Sequence, residues 1–568
     1  MTMGHDSRED KTLKRLRHFM AIGVALSAEK NHNRLLETIL LEAKDIAQAD
    51  GGTIYLRTSD DHLEFAIMRN DTLGTALGGT TGKPINLPRL PLYDVATGKP
   101  NHHNVATHVA LEGKAFNIPD AYDAEGFDFS GTRKFDERNK YRSKSFLTLP
   151  MKNNKNDIIG VLQLINSKDS ATGQVVAFSQ EAQELCEALA SQAAVALDNQ
   201  MLIEAQKNLL DAFIRLIADS IDRKSPYTGG HCKRVPTLTE MIARAACEAK
   251  HDLFSNFDLT EEQWYELHIA AWLHDCGKIV TPVHVMDKAT KLETICDRVH
   301  EIRSRFEVLK RDAEIRYLRA RLGGRMDEEQ LENEYREEVR ELDDELKFIE
   351  HINIGGEFLD DAKIERLRSI AKRKWRPAAD EQDLLTADEV DNLAIRRGTL
   401  TDPERKIIND HIVHTIEMLE KLPFPKHLER VPEYAGGHHE KMDGTGYPKG
   451  LKRDQMSIPA RIMAVADVFE ALTAVDRPYK KGKTLSESMK IMGFMKADNH
   501  LDPDIFDLFV RGGVYKEYAK KFMQPELIDE VDEEALLRIK PKPPAPPKAD
   551  AGAKPGEPRK PDAPRAGA

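Results

Sequence analysis

Between Arg34 and Ala49 the apolar residues Leu35, Leu36, Ile39, Leu40, Ala43, Ile46 and Ala47 recur at helical spacing, and Gly51-Gly52 marks the predicted end of that helix. The pattern then turns to strands. Thr53 to Leu56 and His62 to Met68 flank TSDD as a hairpin, and Phe146 to Met151 and Ile158 to Asn166 flank the turn-rich KNNKND. Helices around an antiparallel sheet predict an α+β unit of ordinary domain size. From Glu181 to Ser220 the pattern is continuously helical, with Leu202, Ala205, Leu209, Ala212 and Leu216 stepping by three and four. That stripe reads as a coiled-coil-like seam, or equally as a helix packed on its own domain.

After Gly229-Gly230 no strand pair is predicted and the chain reads as helices. Val299, Ile302, Phe306, Leu309 and Ala313 form one stripe, and Leu331, Tyr335, Val339, Leu342, Leu346 and Ile349 form another. Gly323-Gly324 separates them, and Asp327 with Gln330 is the predicted N-cap pair of the second helix, so this segment is an antiparallel helical hairpin with charged outer faces. From about Lys540 the chain alternates Pro, Ala, Lys and Gly, a composition that buries no core and predicts a disordered tail.

Length and charge narrow the function. The 568 residues carry 83 Lys and Arg against 95 Asp and Glu, a net charge of −12, with 40% hydrophobic residues, enough for several cores. An acidic chain lacks the basic field of a nucleic-acid or membrane-surface binder, so phosphate must be held by a few placed cations or metals. Five cysteines at 186, 232, 247, 276 and 296 make neither a disulfide framework nor a CxxC pair and imply a reducing compartment. With no apolar run of membrane-spanning length and no signal-peptide pattern, the expected location is cytoplasmic.

The chemistry-bearing residues are His231 in YTGGH, His274 and Asp275 in HDCGK, His411 in NDHIVH, His438 and His439 in GGHHEKMDGTGYP, and Asp467 in AVADVFEAL. Singly, each has a bland explanation as a solvated or hydrogen-bonded side chain. Together, five imidazoles and two carboxylates exceed the needs of one divalent ion and suit two. Two ions sharing a carboxylate activate water and neutralise a phosphoryl oxygen during in-line attack, which fits phosphodiester hydrolysis. His102 and His103 in KPNHHN have no such company and read as solvated, and Cys232 and Cys276 read as small buried residues.

Over roughly residues 209–530 the chain resembles the HD-GYP phosphodiesterases of bacterial cyclic di-GMP signalling, because DRKSPYTGGHCKRV, WLHDCGKIVTP, RRGTLTDPERKIINDH, HHEKMDGTGYPKGL, RIMAVADVFEALTA and DRPYK occur in the family's order. The resemblance implies an all-helical metal-dependent hydrolase that opens cyclic di-GMP to pGpG, and in some members on to GMP. It implies that His231, His274, Asp275 and Asp467 hold a first metal, and that Asp275 bridges to a second held by His411, His438 and His439. Lys278 matches the family lysine beside the attacking group, Gly446, Tyr447 and Pro448 the loop shaping the nucleotide site, and Arg477 and Lys480 the cations contacting substrate. The implied cofactors are two divalent ions, Fe or Mn. Three-metal members carry Glu where this chain has Tyr227, which implies two ions here. His414, one turn after His411, is the competing ligand at that position. The long connection between TP at 281–282 and RRGTLT at 396–401 departs from the compact family pattern.

Over roughly residues 20–198 the chain resembles a GAF domain, on FDERNKYRSKSFLTLPMKN, IIGVLQLIN and a helix starting near FSQEAQEL. The cyclic-nucleotide signature of that family is largely lost: Ser167 follows Asn166, and Phe178 is followed after three residues by Ala182 and Gln183. A structural or dimerising GAF domain therefore weighs as much as a ligand-binding one. The expected division is a helical lead-in over 1–19, a GAF-like α+β sensor over 20–198, a connecting coiled-coil-like helix over 199–217, an all-α HD-GYP domain over 218–538 with an inserted helical hairpin at about 289–392, and a disordered tail over 539–568. The expected partners are cyclic di-GMP and a second copy joined through the GAF domain and connecting helix, with no nucleic acid, no membrane span and a candidate protein-binding arm at the insertion.

Two readings compete with cyclic di-GMP hydrolysis. One is a catalytically silent dinucleotide-binding signalling protein, opposed by the presence of every HD, HH and GYP residue. The other is an HD hydrolase of another cyclic dinucleotide such as cyclic GMP-AMP, which metal ligands alone do not separate from the first.

Overall fold

The computed structural model describes residue 17 and residues 19–225, 230–324, 327–377, 380–475 and 482–543. Tyr227, Arg477, Lys480, most of the 1–19 lead-in and the tail from 544 onward lie outside the described residues. The chain divides into two units, Met1–Leu210 and Asp211–Ala568.

The first unit is built on an antiparallel sheet. Its strands are β1 (Ala49–Arg57), β2 (His62–Asn70), β3 (Thr75–Gly78), β4 (Leu90–Pro91), β5 (Phe116–Ile118), β6 (Phe146–Lys152), β7 (Ile158–Lys168) and β8 (Val175–Val176), in the order β3-β2-β1-β7-β6-β5 with β4 on β2 and β8 on β7. Side chains alternate across the pleat, so neighbouring residues serve different cores. Ile54, Leu162 and Leu164 join α1 (His32–Ala47) and the start of a 45-residue helix, while Tyr55 and Val161 face α2 (Val105–Glu112). Ile22 and Leu26, from the helical stretch 19–28, join the first of these cores.

The predicted stop at Gly51-Gly52 is corrected. The helix ends at Gln48, which takes a left-handed conformation (φ 47°), and both glycines lie inside β1. Close packing explains them: a Cβ at Gly52 would lie 2.7 Å from Leu40 Cδ1, and one at Gly51 2.8 Å from the Asn70 amide nitrogen. His102 also departs from expectation. Its Nδ1 lies 3.0 Å from His108 Nδ1, so it is half-buried and hydrogen-bonded, whereas His103 is exposed.

The 45-residue helix, here α3 (Gln180–Lys224), contributes Cys186, Leu189 and Leu197 to the first unit's core and ends in the second unit. The second unit continues with α4 (His231–Ala249), α5 (Glu261–Leu273), α6 (Val299–Gly323), α7 (Glu328–Asn353), α8 (Asp361–Ala371), α9 (His411–Glu420), α10 (Val431–Gly436) and α11 (Ile458–Thr473), with shorter helices between. The predicted hairpin is α6 and α7, but it is not free-standing. α8, Leu384, Leu385 and Leu393 complete its core around Phe306, Leu342 and Ile349, and a two-residue ladder, Lys374–Trp375 with Gln382–Asp383, interrupts the helices. Asp327 precedes α7 without making the expected side-chain cap, and Gln330 donates instead to Glu334 at 3.0 Å.

Residues at the head of the expected disordered tail are held. The Lys542 amide donates at 2.8 Å to Ala497 O, a carbonyl left open at the end of a preceding helix, and the Lys542 carbonyl accepts from the Asn499 side-chain amide at 2.8 Å. Among the described residues no helix is long and apolar enough to cross a membrane.

Candidate metal centre

Helix ends bring the polar residues together. A capping box of Thr260 and Gln263 starts α5, which delivers His274 at its C-cap and Asp275 immediately after. The 3-10 turn Cys276–Ile279 follows, carrying Lys278. Gly277 in that turn lets α9 approach: a Cβ there would lie 2.0 Å from His411 O, and its amide donates to Thr415 Oγ1 at 2.9 Å. α9 opens with His411, α4 with His231, and α10 ends just before His438 and His439. α11 carries Asp467.

Asp275 is the hub. Its Oδ2 lies 3.1 Å from His231 Nε2 and 3.2 Å from His274 Nε2, and accepts from Lys278 Nζ at 2.6 Å. Its Oδ1 lies 3.3 Å from His411 Nε2. Asp467 Oδ1 lies 3.4 Å from His231 Nε2 and 3.8 Å from His274 Nε2. His439 Nε2 lies 3.1 Å from His411 Nε2. Two compact sets result, His231 with His274 and Asp275, and His411 with His438 and His439, each with ligand atoms within 4.8 Å of one another. His414 belongs to neither set: it is half-buried, with Nδ1 3.8 Å from Glu417.

The chemistry of this donor set fits divalent cations. His274, His411 and His438 each donate Nδ1–H to a carbonyl three residues earlier, at 2.8, 2.5 and 2.7 Å. A carbonyl carries no proton, so each imidazole is the Nδ1–H tautomer in its neutral form and turns the Nε2 lone pair inward, as in ligating histidines. Among the described residues neither His274 Nε2 nor His438 Nε2 makes a hydrogen bond although both are buried, a costly arrangement unless a cation takes the lone pair. Burial and the neighbouring imidazoles push His438 down to about 4 and His439 well below its ordinary value, keeping both neutral. Burial opposes ionisation of Asp275, but Lys278 and His274 outweigh it and hold that carboxyl well below its usual range. Burial also opposes the charge on Lys278, yet Asp275 and Asp467 keep it an ammonium.

Sequence reasoning missed two contributors. Glu470, three residues after Asp467, accepts from His231 Nδ1 with one oxygen and from Arg234 Nε at 2.6 Å with the other. Glu440 is fully buried after the His pair and accepts from the Lys449 and Leu451 amides at 2.7 and 2.9 Å, which clasps the Gly446-Tyr447-Pro448 loop against the site. The only signal for either was a carboxylate at short spacing from a motif residue. The Tyr447 ring stacks on His439 at 5.0 Å, and a Cβ at Gly446 would lie 2.3 Å from the Lys441 amide nitrogen. Cys232 and Cys276 are buried, and burial pushes both thiols up, Cys276 to about 11, so neither offers a thiolate.

The GAF domain family matches residues 31–197 and the HD domain family residues 386–505. The chain is 40% identical over 126 residues to a cyclic di-GMP phosphodiesterase of Pseudomonas aeruginosa, covering 22% of this chain and 29% of that protein. It is 48% identical over 81 residues to 3'3'-cGAMP-specific phosphodiesterase 1 of Vibrio cholerae, covering 14% of this chain and 19% of that protein. These matches span less than a third of either relative's length. A solved GAF domain of an Acinetobacter phosphoenolpyruvate-protein phosphotransferase is 16% identical, covers 34% of this chain and 98% of its own, and superposes with a TM-score of 0.25. The chain thus carries an N-terminal GAF domain followed by a helical HD domain.

Proposed function

We propose that this chain is a metal-dependent phosphodiesterase that hydrolyses cyclic di-GMP and is regulated through its GAF domain. The observation that carries the reading is the cluster of His231, His274, Asp275, His411, His438, His439 and Asp467, with two inward-facing imidazole nitrogens that make no hydrogen bond among the described residues. The resemblance of these motifs to those of phosphodiesterases acting on cyclic dinucleotides supports the substrate class.

His231, His274, Asp275 and Asp467 would hold one divalent ion and His411, His438 and His439 a second, Fe or Mn, with Asp275 between them. A divalent ion at such a site supplies Lewis acidity toward a phosphoryl oxygen and lowers the pKa of water. The chain's own residues do the rest. Asp275 turns one oxygen toward each histidine set, and the carbonyl-anchored imidazoles hold their lone pairs fixed, so little reorganisation is left for the reaction. The Lys278 ammonium keeps its proton at Nζ beside Asp275 and offers positive charge to a substrate phosphate. Glu440 fixes the loop that presents Tyr447, whose ring covers His439 and limits water at that edge. Arg477 and Lys480, which lie outside the described residues, are proposed as the cations that contact substrate.

The exposed stripe of α3 supports a homodimer. Leu202, Leu209 and Leu216 recur every seven residues and are each more than half exposed, the pattern of an unfilled coiled-coil seam. The 48% identity to a 3'3'-cGAMP-specific enzyme favours a second substrate reading, that cyclic dinucleotide. Incubating the chain, loaded anaerobically with Mn(II) or Fe(II), with both dinucleotides and separating the products tests the reading. Linear pGpG or GMP from cyclic di-GMP supports it; hydrolysis of cGAMP alone reassigns the substrate; binding without turnover replaces it with a signalling receptor.

A further inference from the structure

Lys224, the last residue of α3, donates through its ammonium to three backbone carbonyls: Lys278 at 3.1 Å, Ile279, and Thr281 at 2.6 Å. These carbonyls lie at the end of the 3-10 turn Cys276–Ile279 that follows Asp275. The Lys278 carbonyl also accepts from the Thr281 amide at 3.1 Å, and helical turns leave the carbonyls that follow without internal donors. An ammonium answers with three N–H groups and a positive charge at the negative end of the turn. Asp222, two residues before Lys224, accepts from the Gly230 amide at 3.0 Å, immediately ahead of His231. One helical turn of α3 therefore anchors the backbone at both the His231 and the Asp275 segments.

The segment that Lys224 closes carries Asp275, the hub of the cluster, and Lys278, whose ammonium rests on Asp275. The hydrogen bonds of Lys224 go to backbone carbonyls, so its influence on those side chains runs through the turn.

We infer that Lys224 is a positioning residue: by gripping the carbonyls of residues 278, 279 and 281 it fixes the turn that aims Asp275 and Lys278 at the metal cluster. This makes the last turn of α3 a working part of the site. The same helix places Cys186, Leu189 and Leu197 in the core of the GAF domain, so a single element begins in that core and ends in this clamp. The inference rests on the proposed function only for its turnover readout; its metal-binding readout stands apart from it.

Lys224→Met keeps the aliphatic stem and removes the donors, and Lys224→Arg keeps donors and charge. With Mn(II) as the probe on the metal-stripped full chain, titration calorimetry is expected to give about tenfold weaker binding for Lys224→Met, the scale of losing a group that orients a ligand, with partial recovery in Lys224→Arg. Turnover of cyclic di-GMP is expected to fall by a similar factor in kcat with KM within about twofold. The effect on kcat should be much smaller when Lys224→Met is added to Lys278→Met, because both act through one turn. Should Lys224→Met fail to fold, Lys224→Gln carries the same comparisons. Unchanged Mn(II) affinity in the folded variant, or full additivity with Lys278→Met, would overturn the inference. Wild-type protein that binds Mn(II) but hydrolyses no cyclic dinucleotide would sink the phosphodiesterase reading alone, and the affinity comparison would still decide the role of Lys224.

Discussion

Glu470 accepts the Nδ1 proton of His231, whose Nε2 lies 3.1 Å from the hub carboxylate Asp275. Burial alone would raise the Glu470 carboxyl, but His231 and Arg234 outweigh it and draw it down to about 2, so it stays an anion. Burial likewise opposes the charge on His231, while Asp275 and Glu470 raise it to about 10, so a cation taken up at Nε2 displaces a proton. The buried pair thus orients the imidazole from behind, as a carboxylate behind a ligating histidine does. Glu470→Gln keeps the shape and removes the charge. It is expected to weaken Mn(II) binding or turnover by about 10–100-fold. Metal analysis and steady-state rates check this, and a variant with wild-type values for both would show that Glu470 only fills space.

Asp275→Asn tests the hub. Removing its charge takes away the anion shared by both histidine sets, and a loss of about 4 kcal/mol of charge stabilisation corresponds to about three orders of magnitude in rate. Turnover is expected to collapse and bound metal to fall. Asp402→Asn, at an exposed helix start, is expected to match wild type. Substantial activity with normal metal content in Asp275→Asn would contradict the assignment.

The seam on α3 predicts the oligomeric state. Leu209 is 57% exposed within one chain, and Leu209→Asp would set two carboxylates against each other across a parallel dimer, opposed by both burial and repulsion. Light scattering at micromolar concentration is expected to give a dimer for wild type and a monomer for the variant. A monomeric wild type would remove the shared-seam model while leaving catalysis untouched.

In the GAF domain, Asp50 is buried with hydrogen bonds from Tyr141 at 2.5 Å, Thr72 at 2.7 Å and the Lys168 ammonium. Burial would raise its pKa, but these donors outweigh it and hold the carboxyl below its usual range. A depressed folded-state value contributes stability above the unfolded-state pKa of about 3.9, and that stability is lost as pH falls through the folded-state value. The protection of β1 and β7 amides against hydrogen exchange, relative to the intrinsic rate at each pH, is therefore expected to fall below pH of about 4 in wild type. Asp50→Asn should exchange faster at neutral pH, by about 1–3 kcal/mol of lost protection, and respond less to acid. A variant with the same acid response as wild type would show that other carboxylates govern it.

Much of this organisation was legible in the residues. Stripes such as Leu35 to Ala47 report helices because one face must be buried, and the GAF and HD segments follow in the expected order. What escaped was set by contacts between distant residues. Periodicity cannot distinguish a helix-ending glycine from a strand glycine pressed by Leu40, so Gly52 was misread. The hairpin's core draws on Leu384 and Leu393, far along the chain from α6. Nothing in the spacing of Glu470 or Glu440, a helix and a loop carboxylate, marks them as buried. The ligand candidates stood out because histidines and aspartates recur beside glycines and helix ends, whereas carboxylates and lysines acting behind them carry no such mark.

The most direct test of the account is the initial rate of cyclic di-GMP hydrolysis by chelator-stripped full-length protein, titrated anaerobically with Mn(II) and, separately, Fe(II). The account predicts no turnover without metal and a rate that rises to a plateau near two ions per chain. Hydrolysis that persists unchanged after stripping would contradict it, as would a plateau at one ion with His411, His438 and His439 dispensable.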